Sequence, residues 1–329
     1  MSGGSQVFQS TKHHVMKHAD SKARERAKRW QMIKTYKGYY LLLIPGLLYL
    51  MIFKYLPFGG LVIAFKDFSP FEGFRGIITS RWVGLSHFVR FLTAPYFKNV
   101  LFNTLFINFW KIIIGFPTML IFALALNEVK SLRFKRVVQS ISYLPHFISW
   151  VVVVGLMQML LSTHTGIVNG LIKLMGHEPI LFMGSDKWFL PLVVLSAIWK
   201  NIGWESIIVL AAISGINPEL YESAMIDGAN RLQMMGHITL PSIKFILGIL
   251  LILRIGRLIE SDFEQMLLMQ SPAIYHVSDV IDTYVYREGI RMLNYSYATA
   301  VGLFKSVVGF TLIVLTNKTA KMLQYEGLF

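Results

Sequence analysis

Ten charged, polar or aromatic residues lie in or beside apolar runs, and their types suit the binding of a polar ligand. They are Lys111, Trp199, Lys200, Asn201, Trp204, Glu205, Arg254, Arg257, Glu260 and Asp262. An ionisable side chain within a run that crosses a bilayer is costly, and it usually faces a bundle interior or a water-filled cavity. Charged and amide side chains offer hydrogen bonds, and the tryptophan rings offer faces on which an apolar surface can stack. We therefore predict that these residues line a polar, aromatic-walled translocation path.

Two interpretations of the charges stay open at this point. They could contact a substrate, or they could pair with one another and only fix how the helices pack. Arg254 and Arg257 are three residues apart, as are Arg257 and Glu260, so each pair is predicted to share one helix face. The cationic excess of Lys111, Lys200, Arg254 and Arg257 favours an acidic ligand.

The sequence shows no constellation typical of an enzyme or a metal site. It contains no cysteine, which excludes disulfides and thiol catalysis, and its histidines lack metal-ligand spacing. No nucleophile with a nearby base is evident. The phosphate loop Gly-x-x-x-x-Gly-Lys-Ser/Thr is also absent, so this chain is not expected to bind ATP. We predict neither catalytic nor metal-binding residues.

The loop between the fourth and fifth apolar runs carries the signals of a short helix. Asn217 suits the N-cap, and Pro218 suits the first helical position, where its missing N–H costs nothing. Glu219 and Glu222 place negative charge near the positive end of the helix dipole. Gly228 is typical of a helix stop. A helix this short is marginal alone, so it needs a partner surface on this chain or on another.

The elements that must position these residues are membrane helices. The chain of 329 residues is 54% hydrophobic and only 15% charged, with a mean hydropathy of +0.52. A span needs about 20 mostly apolar residues, and lipid-facing backbone must be hydrogen-bonded internally. We predict an all-α integral membrane protein whose six transmembrane helices lie at about 39–64, 100–126, 139–161, 189–214, 243–262 and 296–316. Residues 39–329 then form one six-span domain, with the loop 215–242 between spans four and five.

Basic residues near the helix ends predict the orientation. The tail 1–38 holds nine basic and two acidic residues, the loop 127–139 holds four basic residues, and two more follow the sixth run. Such clusters favour the cytoplasmic side, although segment 65–99 carries five basic residues spread thinly. Both termini and the loop 215–242 are therefore predicted to be cytoplasmic. The tail lacks the interleaved aromatic residues that stack on bases, so lipid headgroups suit it better than nucleic acid.

Seven positions of the loop carry a family resemblance: Glu222-Ser223-Ala224, Gly228, Ile238 and Leu240-Pro241. Their spacing resembles the cytoplasmic coupling-loop signature of permeases from binding-protein-dependent ABC importers, with Ser223 replacing an alanine. The resemblance implies a coupling helix that docks into a cleft of an ATP-hydrolysing subunit. It assigns this role to Glu219, Tyr221, Glu222, Ser223, Ala224, Asp227, Gly228, Ile238, Leu240 and Pro241.

Flanking segments resemble the carbohydrate branch of that family, including importers of alginate and pectin fragments. These segments are Asn127-Glu128-Val129, Trp199–Trp204, Leu220–Glu222, Asp227–Ala229 and Asp279–Arg287. The resemblance implies a non-enzymatic subunit in the bacterial inner membrane that translocates an oligosaccharide. The cationic excess noted above then favours an acidic sugar, such as an oligo-uronate. Its implied partners are a second, different permease, two ATPase subunits that bind ATP and Mg²⁺, and an external sugar-binding protein.

Two other classes of protein remain as alternatives. An ion-gradient-driven secondary sugar transporter would usually show internal repeats and discontinuous helices near the midplane, and the sequence shows neither clearly. A membrane-embedded enzyme would need the catalytic constellation that is missing here. Co-purification with an ATPase whose hydrolysis a transported sugar stimulates would separate the three.

Overall fold

The computed structural model describes residues 28, 30–32 and 34–322. Most of the basic tail predicted at 1–38 therefore lies outside the described residues. Those residues are helices and connecting turns, apart from one isolated antiparallel bridge between Lys66 and Trp82, which confirms the all-α prediction. The chain divides into two compact units, Met1–Val62 and Ile63–Phe329, and the candidate residues all belong to the second.

The α-helices are numbered here in chain order. The first eight are α1 (Lys37–Leu50), α2 (Leu56–Gly60), α3 (Gly73–Thr79), α4 (Ser86–Thr93), α5 (Phe97–Glu128), α6 (Leu132–Tyr143), α7 (Trp150–Leu161) and α8 (Ile167–Leu174). The remaining eight are α9 (Asp186–Ser214), α10 (Glu219–Ile226), α11 (Arg231–Met234), α12 (Leu240–Gly256), α13 (Phe263–Met269), α14 (Tyr275–Ser278), α15 (Ile281–Tyr286) and α16 (Tyr295–Met322). Short π-helical turns join α1 to α2 and α11 to α12.

Five helical stretches within the described residues are long and apolar enough to cross a membrane. They are Lys37–Phe65, Phe97–Glu128, Asp186–Ser214, Arg231–Gly256 and Tyr295–Thr319. A sixth span exists if the bent pair formed by Leu132–Phe147 and Trp150–Leu161 is counted as one. The predicted number of six therefore holds with one broken span.

The broken span corrects the prediction of a continuous helix over 139–161. The two parts of the pair meet at an angle of 100°, and Ile148 and Ser149 between them are extended. Pro145 lacks the N–H that a continuing helix needs, and the Ser149 side chain accepts a hydrogen bond from the N–H of Val152 and so starts α7 anew. The α-helices of the two halves, α6 and α7, have 12 residues each, about 18 Å, which is too short to span a bilayer of ~30 Å alone.

The fifth span also differs from its predicted bounds, 243–262. The helical stretch begins earlier, at Arg231, and it ends at Gly256. Arg257, Glu260 and Asp262 consequently follow the helix in an irregular segment, where the N–H of Glu260 bonds the carbonyl of Arg257. The prediction that each pair shares a helix face is therefore wrong for Arg257 and Glu260.

Helices α5 and α9 pack side by side and carry six of the ten predicted path residues. One apolar cluster joins them to α12 through Met119, Val209 and Ile243. At the other end of α9, Phe189 and Val193 pack against Trp150 of α7 and Met266 of α13. Because both clusters are buried, the side chains between them are held at fixed depths along α5 and α9.

Candidate functional site

A cavity of about 110 Å³ lies midway along α5 and α9, where α12 ends. It is lined by Lys111, Gly115, Val194, Ala197, Ile198, Asn201, Ile202, Glu205, Arg254 and Asp262. Half of the ten predicted path residues therefore meet in one place, although they come from four separate parts of the chain. We call this space the central cavity.

Two ion pairs neutralise the charges of the central cavity. Arg254 bonds Glu205 through its guanidinium, and the Nζ of Lys111 lies 3.4 Å from the Oδ2 of Asp262. Lys111 also donates to the Oε1 of the buried Gln265 at 2.7 Å. These pairings remove most of the cationic excess that favoured an acidic sugar, so that argument no longer holds for the central cavity.

Lys200 occupies a different environment from the one predicted. Its side chain is buried, and its Nζ donates to the carbonyl oxygens of Pro145 at 3.2 Å, His146 at 2.8 Å and Ile148. An ammonium has three N–H donors, so all three are used on the break between α6 and α7. Lys200 therefore supports the broken span and is not among the residues that line the central cavity.

A wider cavity of about 440 Å³ adjoins the central one. It is lined by Met119, Trp204, Glu205, Ile207, Ile208, Leu250, Leu253, Arg254 and Arg257. Glu205 and Arg254 line both spaces, so their ion pair stands at the boundary between the two cavities. The Trp204 ring is stacked on His146 at 4.8 Å, which fixes its orientation while leaving it 46% exposed.

Three predicted path residues have other surroundings or contacts. Trp199 faces an apolar cavity formed with α7 and α8, and Glu260 is exposed and lines neither of the two charged cavities. Asn201 reaches the central cavity but also holds His146 through a contact of 3.0 Å between its Oδ1 and the histidine Nδ1. His146 itself was missed by sequence reasoning because it lies outside the predicted charged positions.

The irregular segment after α12 is held by polar side chains that the sequence did not single out. Asn108 donates to the carbonyl of Leu258 at 2.9 Å and to the hydroxyl of Ser261 at 3.1 Å. Asp282 accepts from the N–H of Ser261 at 3.1 Å and is paired with Lys305 at 2.5 Å. Backbone that has left a helix needs other hydrogen-bond partners, and Asn108 and Asp282 supply them here. The available signal was the polar residue within each apolar run.

The loop between spans four and five forms the short helix that its sequence predicts, α10. Asn217 accepts a hydrogen bond from the N–H of Glu219 at 3.1 Å, which caps the first turn. At the other end Gly228 has a φ of +80°, and the N–H of Ala229 reaches the carbonyl of Ala224 at 2.9 Å. This is a Schellman motif, in which a left-handed glycine closes the last helical turn.

One face of α10 is attached to this chain and another is exposed. The hydroxyl of Tyr221 bonds the buried Thr239 at 2.9 Å, at the end of the π-helical turn that leads into α12. Leu220, Met225 and Ile226 are exposed, the last at 87%. A short helix with an apolar exposed face favours docking on another subunit.

The remaining residues of the predicted coupling loop lie along α10 or at the start of α12. Asp227 caps the end of α10, and Glu219, Glu222 and Ser223 are exposed along it. Ile238 lies in the π-helical turn, Leu240 packs into the apolar cluster below α12, and Pro241 stands in the first turn of that helix. Within the described residues no group of three or more acidic or histidine side chains could hold a metal ion.

Comparisons with known proteins identify the family. The binding-protein-dependent transport system inner membrane component family matches residues 115–323. The polygalacturonan/rhamnogalacturonan transport system permease protein YteP of Bacillus subtilis (strain 168) is 46% identical over 89% of this chain and 90% of that protein.

Two solved structures are similar along nearly the whole chain. A bacterial ABC transporter involved in the import of the acidic polysaccharide alginate contains a chain that is 39% identical, with a TM-score of 0.82, over 90% of this chain and 99% of that one. The alginate transporter in complex with an alginate pentasaccharide-bound periplasmic protein gives 38% identity and a TM-score of 0.81, over 91% and 99%.

The match to the family covers well over half of the chain, and the relatives named above are transport proteins rather than enzymes. The exposed, capped α10 and the charged central cavity agree with a transport role. The chain belongs to the family of binding-protein-dependent transport system inner membrane components, and it is a transport subunit, as its sequence predicts.

Proposed function

We propose that this sugar importer permease translocates an acidic oligosaccharide. The observation that carries the proposal is the 39% identity with a chain of the alginate importer, extended over 99% of that chain. The relative that transports polygalacturonan and rhamnogalacturonan supports the same class of substrate. The wider cavity adds a local reason, because its charged residues are Arg254, Arg257 and a single carboxylate, Glu205.

The path would run through both cavities and past the ion pair between them. The central cavity of about 110 Å³ is much smaller than the ~300–1,000 Å³ typical of ligand sites, so an oligosaccharide requires it to widen. Widening must separate Arg254 from Glu205, which then become free to bind carboxylate and hydroxyl groups. Trp204 supplies an aromatic face beside them.

We assign the coupling of transport to ATP hydrolysis to α10. Its exposed Leu220, Met225 and Ile226 would fill a groove on an ATPase subunit, which binds the ATP and Mg²⁺. Rigid-body closure of that partner would then act on the permease through a helix that its own caps keep intact. This role places α10 and both termini in the cytoplasm, in agreement with the basic clusters near the helix ends.

The remaining partners follow from the family. We propose that a second permease subunit, which is a different chain, completes the path. A sugar-binding protein outside the membrane would deliver the sugar. The alginate transporter solved with its loaded periplasmic protein supports that arrangement. The secondary carrier is the weaker candidate: the break between α6 and α7 is a feature such carriers show, but an exposed coupling helix has no use in one.

The test is uptake by the reconstituted complex of two permeases, two ATPase subunits and the binding protein. We expect ATP-dependent uptake of trigalacturonate or an alginate trisaccharide, and much slower uptake of neutral maltotriose. Equal uptake of acidic and neutral trisaccharides would refute the assigned substrate class. Uptake that continues without ATP but follows an ion gradient would instead favour the secondary carrier.

The coupling role has its own test. Replacing the exposed Ile226 by Asp should weaken association with the ATPase subunits, because a charge would enter an apolar groove. Replacing Ile290 by Asp, at an exposed isoleucine (55%) that lies far from α10 in the chain, should not. Equal association for both variants would remove the role proposed for α10.

A further inference from the structure

A cavity with a volume of about 700 Å³ lies away from the central cavity. It is formed by the end of α4, the start of α5, α14, α15 and the start of α16. The lining residues that matter here are Arg90, Tyr96, Asn99, Tyr275, Arg287 and Glu288. We name this space the outer cavity.

The outer cavity lies at the opposite end of the long helices from α10. His276 in its wall contacts Asp186, the first residue of α9, at 2.8 Å between Nε2 and Oδ2, whereas α10 follows the last residue of that helix. The 29 residues of α9 separate the two ends by about 42 Å. If α10 faces the ATPase subunits, the outer cavity faces the side from which the sugar arrives.

The side chains of the inner wall of the outer cavity bond one another. Arg287 makes two hydrogen bonds to the buried Asp279, at 3.1 and 2.5 Å, and its guanidinium lies over the rings of Tyr275 and Tyr284. Burial alone would lower the pKa of Arg287, but the hydrogen bonds and the charge of Asp279 outweigh it and raise that pKa. The hydroxyls of Tyr284 and Tyr297 bond each other at 2.7 Å. Asp279 therefore neutralises Arg287 and engages two of its five N–H donors, so the charge of Arg287 is already paired.

The rim, in contrast, offers groups that are oriented and accessible, although one carboxylate oxygen of Glu288 already accepts a hydrogen bond from Asn294 at 3.2 Å. The guanidinium of Arg90 is held 4.4 Å above the ring of Tyr297, and none of the ion pairs among the described residues includes it. Tyr96 is 67% exposed, and Asn99 and Glu288 add a donor and acceptors beside it. A fixed cation, an open aromatic face and scattered hydroxyl partners are what a sugar carrying a carboxylate needs.

We propose that the outer cavity is a receiving subsite for one uronate residue of the incoming oligosaccharide. Arg90 binds the carboxylate, the ring of Tyr96 stacks on the sugar, and Asn99 and Glu288 bond its hydroxyls. The volume of about 700 Å³ lies within the range of ligand sites and is more than six times that of the central cavity. This inference rests on the proposed function and adds a second place at which the acidic class is selected.

The experiment measures binding of trigalacturonate and of maltotriose to the full permease–ATPase complex in nanodiscs, without the binding protein. We expect Arg90→Gln to weaken trigalacturonate binding by about 10- to 100-fold, since one charge-assisted pair is lost, and to leave maltotriose binding within about two-fold. Arg90→Lys keeps the charge without the planar fork and should fall in between. Tyr96→Ala should weaken both sugars. Arg75→Gln, at an exposed arginine outside the cavity, is the matched control.

The outcomes separate this inference from the proposed function. Equal trigalacturonate binding by Arg90→Gln and Arg75→Gln, while the wild-type complex still imports trigalacturonate, overturns the subsite and leaves the proposed function intact. A wild-type complex that imports no acidic oligosaccharide overturns both. If Arg90→Gln weakens docking of the binding protein equally with and without bound sugar, the cavity receives a protein surface and the subsite is also overturned.

Discussion

Replacing Lys200 by Met is the sharpest test of how the broken span is held. The substitution keeps most of the side-chain length and apolar volume but removes the ammonium that bonds the carbonyls of Pro145, His146 and Ile148. The bond to Pro145 is buried, and the bonds to His146 and Ile148 are part-buried. Leaving a buried acceptor unsatisfied costs about 1–3 kcal/mol, so we expect a loss of about 3–6 kcal/mol in the free energy of unfolding.

The assay is thermal unfolding of the purified complex, followed by the aggregation or proteolysis of this chain. At about 2–4 °C per kcal/mol for a domain of this size, Tm should fall by roughly 6–24 °C. Lys200→Gln should lose less, because an amide keeps two donors for the same carbonyls. Lys244→Met, at an exposed lysine of α12, is the control and should leave Tm unchanged.

The same variant distinguishes a structural lysine from a path lysine. A structural role predicts a lower Tm with an unchanged KM for the transported sugar in the fraction that stays folded. An unchanged Tm together with a raised KM for acidic sugars would refute the reasoning, because it would mean that Lys200 binds substrate and that the carbonyls manage without it.

Three further predictions concern the ion pair between Arg254 and Glu205, the helix α10 and the close contact between α6 and α9. Arg254→Gln or Glu205→Gln alone should reduce sugar-stimulated ATPase activity at least ten-fold, because one charge stays unpaired between the cavities, whereas the double variant should recover part of it. Gly228→Ala should weaken sugar-stimulated ATPase activity several-fold through strain at a φ of +80°, while Gly236→Ala, in the same loop with open space and no such φ, should not. Gly203→Ala should destabilise the chain by more than about 3 kcal/mol in an unfolding assay, because its Cβ would lie 2.2 Å from a backbone oxygen of α6.

Each of these predictions has a contradicting outcome. A double variant at Arg254 and Glu205 that is as inactive as the singles would mean that the two charges act separately rather than as a pair. Equal coupling by the Gly228 and Gly236 variants would show that the left-handed turn is dispensable. A Gly203 variant of normal stability would mean that α6 and α9 can separate without cost.

The helix α10 was predictable because its determinants are local. Asn217, Pro218 and Gly228 act on backbone groups within a few residues, so their spacing alone identifies the capped ends. The number of long apolar stretches was predictable for the same reason, since hydropathy is summed over neighbours. Both features would be found in any chain with this local pattern, whatever it packs against.

The break in the third span was not predictable, because its cause lies elsewhere in the chain. The run around Pro145 is apolar enough to read as one helix, and the group that stabilises its open form, Lys200, follows more than 50 residues later. The ion pairs have the same property: Lys111 and Asp262 are 151 residues apart, and Glu205 and Arg254 are 49 apart. Sequence alone therefore showed the charges and their excess, but not that tertiary structure cancels most of it.

The position of Arg254 relates the two halves of the mechanism. The hydroxyl of Tyr221 ties α10 to Thr239, at the start of α12, and Arg254 stands near the opposite end of that helix beside Glu205. From Thr239 to Arg254 is about 22 Å of helix, and a helix transmits displacement because its hydrogen bonds resist stretching. A displacement of α10 would therefore be transmitted to the ion pair by helix α12 itself, rather than through a series of flexible side-chain contacts. On the path proposed above, the ion pair separates when an oligosaccharide passes. Helix α12 would then join the point at which α10 is attached to the point at which the path is blocked.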